Sequence, residues 1–168
     1  MAGAEKPEFA PLLPPGRHQM TVEDLGRLCV EPFETSAARP GLLDAVRGLL
    51  AHLGALLDIC EVWIDGSFVT AKPEPDDVDL TVAIDGGQLE GASPEVFSAL
   101  NGLMDKAFHP KLHIFTVATR PVGHPHRSDL EEAFRQWAQW WCVARDGWIK
   151  GMPVIRLGET DVGLRLLP

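Results

Sequence analysis

The sequence predicts a single α/β (α+β) domain in which a small mixed β-sheet packs with helices. Segments with helical apolar spacing alternate with short β-prone runs, in the order helix, strand, strand, helix, strand, helix. The length of 168 residues suits one domain. A hydrophobic content of 45% is enough to fill a core, and mean hydropathy near zero with 23% charged residues describes an ordinary globular chain.

Residues 1–20 carry Pro7, Pro11, Pro14 and Pro15 before Gly16. They read as a proline-rich arm, extended along the body or frayed, ahead of a domain over 21–168. Thr21 is the expected N-cap of a short helix with acids in its first turn, and Pro32 limits its length. Pro40 opens the longest helix, over 40–58. There Leu42, Leu43, Val46, Leu49, Leu50 and Leu53 recur at three- and four-residue steps.

The run Glu61–Asp65 is β-prone and stops at Gly66. A loop over 70–76 holds Pro73 and Pro75, and a strand follows over 77–84 until Asp85-Gly86-Gly87 ends it. Ser93-Pro94 begins a helix whose apolar face holds Val96, Phe97, Leu100, Leu103, Met104 and Phe108. Residues 112–117 form a third strand. Ser128 caps a helix over 129–144, and 154–157 is a final strand.

The 24 acidic residues outnumber 15 basic ones, for a net charge of −9. Proteins that coat long nucleic acids draw on a basic surplus to neutralise phosphate, so extended nucleic-acid coating is not expected. The longest apolar stretch, 42–59, is broken by Asp44, Arg47, His52 and Asp58 and reads as a helix with one buried face, so no membrane association is expected. The N-terminus lacks a basic start followed by an apolar core, so no secretory signal is expected. Cys29, Cys60 and Cys142 lie far apart among apolar neighbours, as free thiols buried in a reducing cytoplasm would.

The stretch that carries chemistry runs from Ile64 to Leu80. On a strand, residues two apart share a face, so Asp77 and Asp79 project together while Val78 and Leu80 point into the core. Two adjacent carboxylates repel unless a cation neutralises them, and oxygen ligands suit Mg²⁺ or Mn²⁺. Gly66 ends the preceding strand at a turn, where a residue without Cβ lets backbone N–H groups approach phosphate oxygens. Ser67 adds a hydroxyl. Such a combination can hold a polyphosphate beside its metal ion, as phosphoryl and nucleotidyl transfer require.

Gly66, Ser67, Asp77 and Asp79 resemble the active-site signature of the DNA polymerase β-like nucleotidyltransferase superfamily: a strand ending in Gly-Ser, a spacer of about ten residues, then two acids alternating with apolar residues on the next strand. Leu12–His18, Trp63–Asp79 and Arg145-Asp146-Gly147 with Lys150-Gly151 are similar to a family of short bacterial nucleotidyltransferase-like proteins, discussed alongside toxin–antitoxin and phage-defence systems. The resemblance implies a nucleotidyltransferase-like fold. It also implies that Asp77 and Asp79 bind Mg²⁺ on a nucleoside triphosphate, and that Gly66 and Ser67 cradle the β- and γ-phosphates. A nucleoside monophosphate would pass to a hydroxyl acceptor, which could be a protein side chain, an RNA end or a small molecule.

One departure bears on catalysis. The superfamily places a third carboxylate on a neighbouring strand, and the matching position here is His113, a poorer ligand for Mg²⁺. Asp161 or Glu159 could substitute for it. The alternative reading is therefore a degenerate transferase that binds a nucleotide or a protein partner without turnover, and a third is an interaction subunit or homo-oligomer completed by another chain. Lys72 in the spacer loop is a candidate phosphate contact, against the plainer reading of a surface lysine. Arg145 and Lys150 could neutralise phosphate or cap a helix C-terminus. His124 and His126 read as loop residues, and Trp137, Trp140 and Trp141 as one packed helix face.

Overall fold

The computed structural model describes residues 9–105, 108–119, 125 and 150–158. Five strands form one mixed sheet: β1 (Gly16–Gln19), β2 (Cys60–Asp65), β3 (Val78–Asp85), β4 (Leu112–Thr119) and β5 (Gly151–Leu157). Their order across the sheet is β1-β5-β2-β3-β4. The outer pairs β1·β5 and β3·β4 are parallel, whereas β5·β2 and β2·β3 are antiparallel. Four helices accompany them among the described residues: α1 (Val22–Cys29), α2 (Arg39–Leu56), α3 (Gly86–Glu90) and α4 (Pro94–Leu103). The expected α/β domain with a small mixed sheet is what the chain forms.

Strand alternation divides the sheet into two faces. Val62 and Ile64 of β2, Leu80 and Val82 of β3 and Ile114 of β4 join one core with Leu25 of α1, with Leu42, Val46, Leu49 and Leu53 of α2, and with Leu100 of α4. The opposite face carries Trp63, Ala83, Met152 and Val154 as a second buried cluster. Glu61 lies on that second face, almost fully buried, and ties three strands together. It accepts from Arg17 of β1 at 2.6 Å, from Arg156 of β5 at 3.1 Å and from the indole of Trp63 at 3.0 Å. A buried carboxylate needs such partners to be tolerated.

Local signals match the element starts. Thr21 caps α1 in a reciprocal capping box with Asp24, and Ser93 caps α4 ahead of Pro94. Cys29 and Cys60 are buried free thiols, each pushed up to about 12 by burial, which makes them unreactive. Among the described residues no helix is long and apolar enough to cross a membrane.

Several expectations are corrected. Within the stretch read as an arm, Gly16–Gln19 form an edge strand paired with β5. Its preceding part is also tied down, because Leu12 N donates to the Val69 carbonyl and Ala71 N to the Ala10 carbonyl. Strand β5 begins at Gly151, three residues earlier than the apolar run, because pairing with β1 extends it through Pro153. Strand β3 begins at Val78, so Asp77 sits immediately before it. Asp85 does not merely stop β3; its side chain caps α3 by accepting from Gly87 and Gln88. Helix α4 ends at Leu103, which narrows its apolar face, and Phe97 and Met104 are exposed. The expected helix over 129–144 with Ser128, Trp137, Trp140 and Trp141, together with Cys142, Arg145, Glu159, Asp161, His124 and His126, lies outside the described residues.

Candidate active site

Three neighbouring strands place polar groups in one row on the second sheet face. In the β2·β3 register Asp65 is the partner of Asp79, and in the β3·β4 register Asp79 is the partner of His113. The row Asp65–Asp79–His113 therefore crosses the sheet where β2 ends and β3 begins, with Asp77 one step before β3.

Gly66 follows Asp65 directly, with φ +82° and ψ −164°. That region of backbone space is open essentially to glycine alone. A Cβ built there would fall onto the Oδ2 of Asp79, and 3.1 Å from its Cγ. The bend is thus in van der Waals contact with the carboxylate. Ser67 opens the one-turn 3₁₀ helix Ser67–Val69 that follows.

His113 faces both acids through one nitrogen. Its Nδ1 lies 3.3 Å from Asp79 Oδ1 and 3.6 Å from Asp77 Oδ2. Burial, then the negative charges of Asp77 and Asp65, raise the Asp79 pKa above the ordinary carboxylate value, and the imidazole only partly offsets this. Asp79 is one-third exposed, so solvent screens part of the repulsion.

Three further residues, Lys150, Arg39 and Glu74, hold the row or its spacer loop in place. Asp65 is nearly buried and pairs with the ammonium of Lys150 at 2.8 Å. The spacer loop is clamped from outside by α2. The fully buried Arg39 guanidinium donates to the carbonyls of Phe68 at 2.9 Å, Thr70 at 2.6 Å and Lys72 at 2.6 Å, and also to Cys29 at 2.6 Å. Glu74 returns the contact by accepting from the N–H groups of Ala37 and Ala38 at the start of α2. Those bonds to N–H donors hold the Glu74 pKa below its usual value.

Of the residues singled out from sequence, Gly66, Asp77, Asp79 and His113 meet in one place. Lys72 is otherwise engaged: its ammonium pairs at 2.6 Å with the largely exposed Asp76. Sequence reasoning missed Asp65, Arg39 and Glu74. Asp65 carried a usable signal, since it ends a β-prone run directly before the Gly-Ser pair; Arg39 and Glu74 carried none.

The donor set can be weighed for a cation. Among the described residues no group of three or more His, Cys, Asp or Glu side chains is arranged to hold a metal ion. Mg²⁺, however, is commonly held by one or two carboxylates, with waters and substrate phosphates filling its octahedron. Asp77 and Asp79 converging on one nitrogen fit that two-carboxylate mode. An open groove of ≈ 790 Å³ elsewhere, lined by Gln19, Met20, Thr21, Leu50 and Leu157, shares no residue with the row. Its charged members Asp24 and Arg156 are paired with Arg27 and Glu61, so it offers no comparable chemistry.

One protein-family model matches residues 7–156. No curated protein and no solved structure matches the chain.

Proposed function

The chain belongs to DUF6932, a family of unknown function, and we propose that it is a minimal nucleotidyltransferase that moves a nucleoside monophosphate from a nucleoside triphosphate to a hydroxyl acceptor with Mg²⁺ or Mn²⁺. The observation that carries this reading is the approach of Asp77 and Asp79 to a single point, 3.6 Å and 3.3 Å from one nitrogen, beside the glycine-only bend at Gly66.

In this reading Asp77 and Asp79 would hold one divalent cation, which would supply charge neutralisation and Lewis-acid polarisation of the triphosphate. Gly66 and Ser67 hold the β- and γ-phosphates through backbone N–H groups and the Ser67 hydroxyl. Nδ1 of His113 faces the two acids, and the other ring nitrogen, Nε2, is the proton acceptor in this reading. It takes the proton of the acceptor hydroxyl as that oxygen bonds to the α-phosphorus. The bond from the α-phosphorus to its β-bridging oxygen breaks, and pyrophosphate leaves. The acceptor is a protein side chain, an RNA end or a small molecule.

His113, at the position where the resemblance leads one to expect a third carboxylate, favours a second reading, nucleotide or partner binding without turnover. Incubation with Mg²⁺ or Mn²⁺, each α-labelled nucleoside triphosphate and cell extract separates the two. Label transfer by wild type that vanishes in Asp77→Ala/Asp79→Ala is the expected result. Binding without transfer would support the second reading, and absence of both would sink the nucleotide reading altogether.

Metal-free stability gives an independent check. Because the folded-state pKa of Asp79 is raised, the native protein binds this proton more tightly than the unfolded chain. Stability therefore falls as pH rises from the ordinary aspartate range through the raised value, and the penalty is complete above it. Asp79→Asn is expected to raise the metal-free melting temperature at pH 7 by about 1–3 °C. It should also abolish the further rise that Mn²⁺ produces in wild type. An equal Mn²⁺-induced rise in the variant would remove Asp79 from the cation site.

A further inference from the structure

We propose that Lys150, positioned by Asp65, is the cation that receives the terminal phosphates of the triphosphate. This inference rests on the nucleotidyl-transfer reading and adds to it a phosphate ligand from β5's entry rather than from the spacer loop.

The need for such a cation follows from the charges on the row. Among the described residues, Asp65, Asp77 and Asp79 bring three carboxylates together against one lysine and one histidine. A triphosphate approaching them meets net negative charge, and one divalent cation on Asp77 and Asp79 offsets only part of it. A cation beside the bend lowers the remaining repulsion. Lys72 is directed to Asp76, and Arg17 and Arg156 are paired with Glu61. Among the described residues, Lys150 is the lysine paired with a carboxylate of the row.

Its surroundings suit the task. Asp65 immediately precedes Gly66, so an ammonium held by Asp65 is held next to the bend. Lysine has three N–H donors, and one bond to Asp65 leaves two for phosphate oxygens. The backbone beside it is pinned: Gly151 packs against the Pro14 carbonyl oxygen, with Leu13 Cβ 2.5 Å from where its own Cβ would stand. Gly151 N also donates to the Leu13 carbonyl at 3.3 Å. The N-terminal arm thereby fixes the base of the Lys150 side chain, while Asp65 fixes its tip. A buried ion pair contributes little net stability compared with apolar residues of the same volume, so packing alone gives no reason for a lysine here.

The test uses the full chain and two probes, Mn²⁺ alone and inorganic tripolyphosphate with Mg²⁺, which removes any dependence on base preference. Lys150→Met and Lys150→Gln are expected to weaken tripolyphosphate binding by about tenfold or more, the loss of a charge-assisted contact. Lys150→Arg should restore binding to within about threefold of wild type, and Mn²⁺ affinity should not fall in any of the three. The glutamine variant keeps a hydrogen bond to Asp65 and serves if the methionine variant does not fold. Wild-type tripolyphosphate affinity in both neutral variants would overturn the assignment, as would a parallel loss of Mn²⁺ affinity, which would mark a purely structural pair. Wild-type protein that binds Mn²⁺ but no tripolyphosphate would instead overturn the nucleotide reading itself.

Discussion

Arg39→Met is expected to destabilise the protein by about 3–5 kcal/mol. The guanidinium is fully buried and satisfies the carbonyls of Cys29, Phe68, Thr70 and Lys72. It also stacks over the Phe33 ring at 3.6 Å. Methionine fills much of the volume but donates nothing, leaving the carbonyl at the end of α1 and three carbonyls of the 68–72 segment without this partner. Arg39→Lys should recover less than half of the loss, because one compact ammonium cannot span acceptors that the planar guanidinium reaches from two nitrogens. Urea unfolding measures this directly. A midpoint for Arg39→Met corresponding to a loss below about 1 kcal/mol would show that water replaces the arginine adequately.

The functional consequence should exceed the stability loss. Three of the four carbonyls belong to the 68–72 segment, between the Gly66 bend and Asp77. Freed from α2, that segment no longer fixes the distance between bend and carboxylates. Mn²⁺ affinity should therefore drop even at temperatures where the variant remains folded.

Gly66→Ala is the second large effect. The backbone at φ +82° and ψ −164° excludes side chains at a cost of about 1–3 kcal/mol. The added methyl also occupies the place of the Asp79 carboxylate. Either the bend or the carboxylate must move, so Mn²⁺ affinity is expected to fall by about tenfold or more, alongside the stability loss. Gly48→Ala is the matched control. Gly48 is exposed in the middle of α2, and a Cβ there meets nothing within 4 Å. It should stabilise by about 0.5–1 kcal/mol. A Gly66→Ala protein that melts with wild type and binds Mn²⁺ equally would disprove the close approach of bend and acid.

Much of the fold was legible because its signals are local. Thr21 and Ser93 announce helix starts through their own hydroxyls, and the leucine spacing of α2 announces a buried face without reference to any partner. The same holds for the core of the site: the two-residue step from Asp77 to Asp79 and the Gly-Ser pair are readable from spacing alone. Edge strand β1 was not readable, since Gly16-Arg17-His18-Gln19 has no strand preference and becomes a strand only by pairing with β5. Lys72 looked as eligible for phosphate as Lys150 until Asp76 and Asp65 were seen to be their respective partners.

The linear chain by itself determined the element types, the buried face of α2 and the identity of the paired acids, because each depends on neighbours within a few positions. Only the tertiary structure decided that Asp65 stands across from Asp79, that His113 meets both acids, and that Arg39 and Glu74 bind the spacer loop to α2. Those contacts join residues more than 10 positions apart, and sheet register and helix docking set them; no local pattern encodes either.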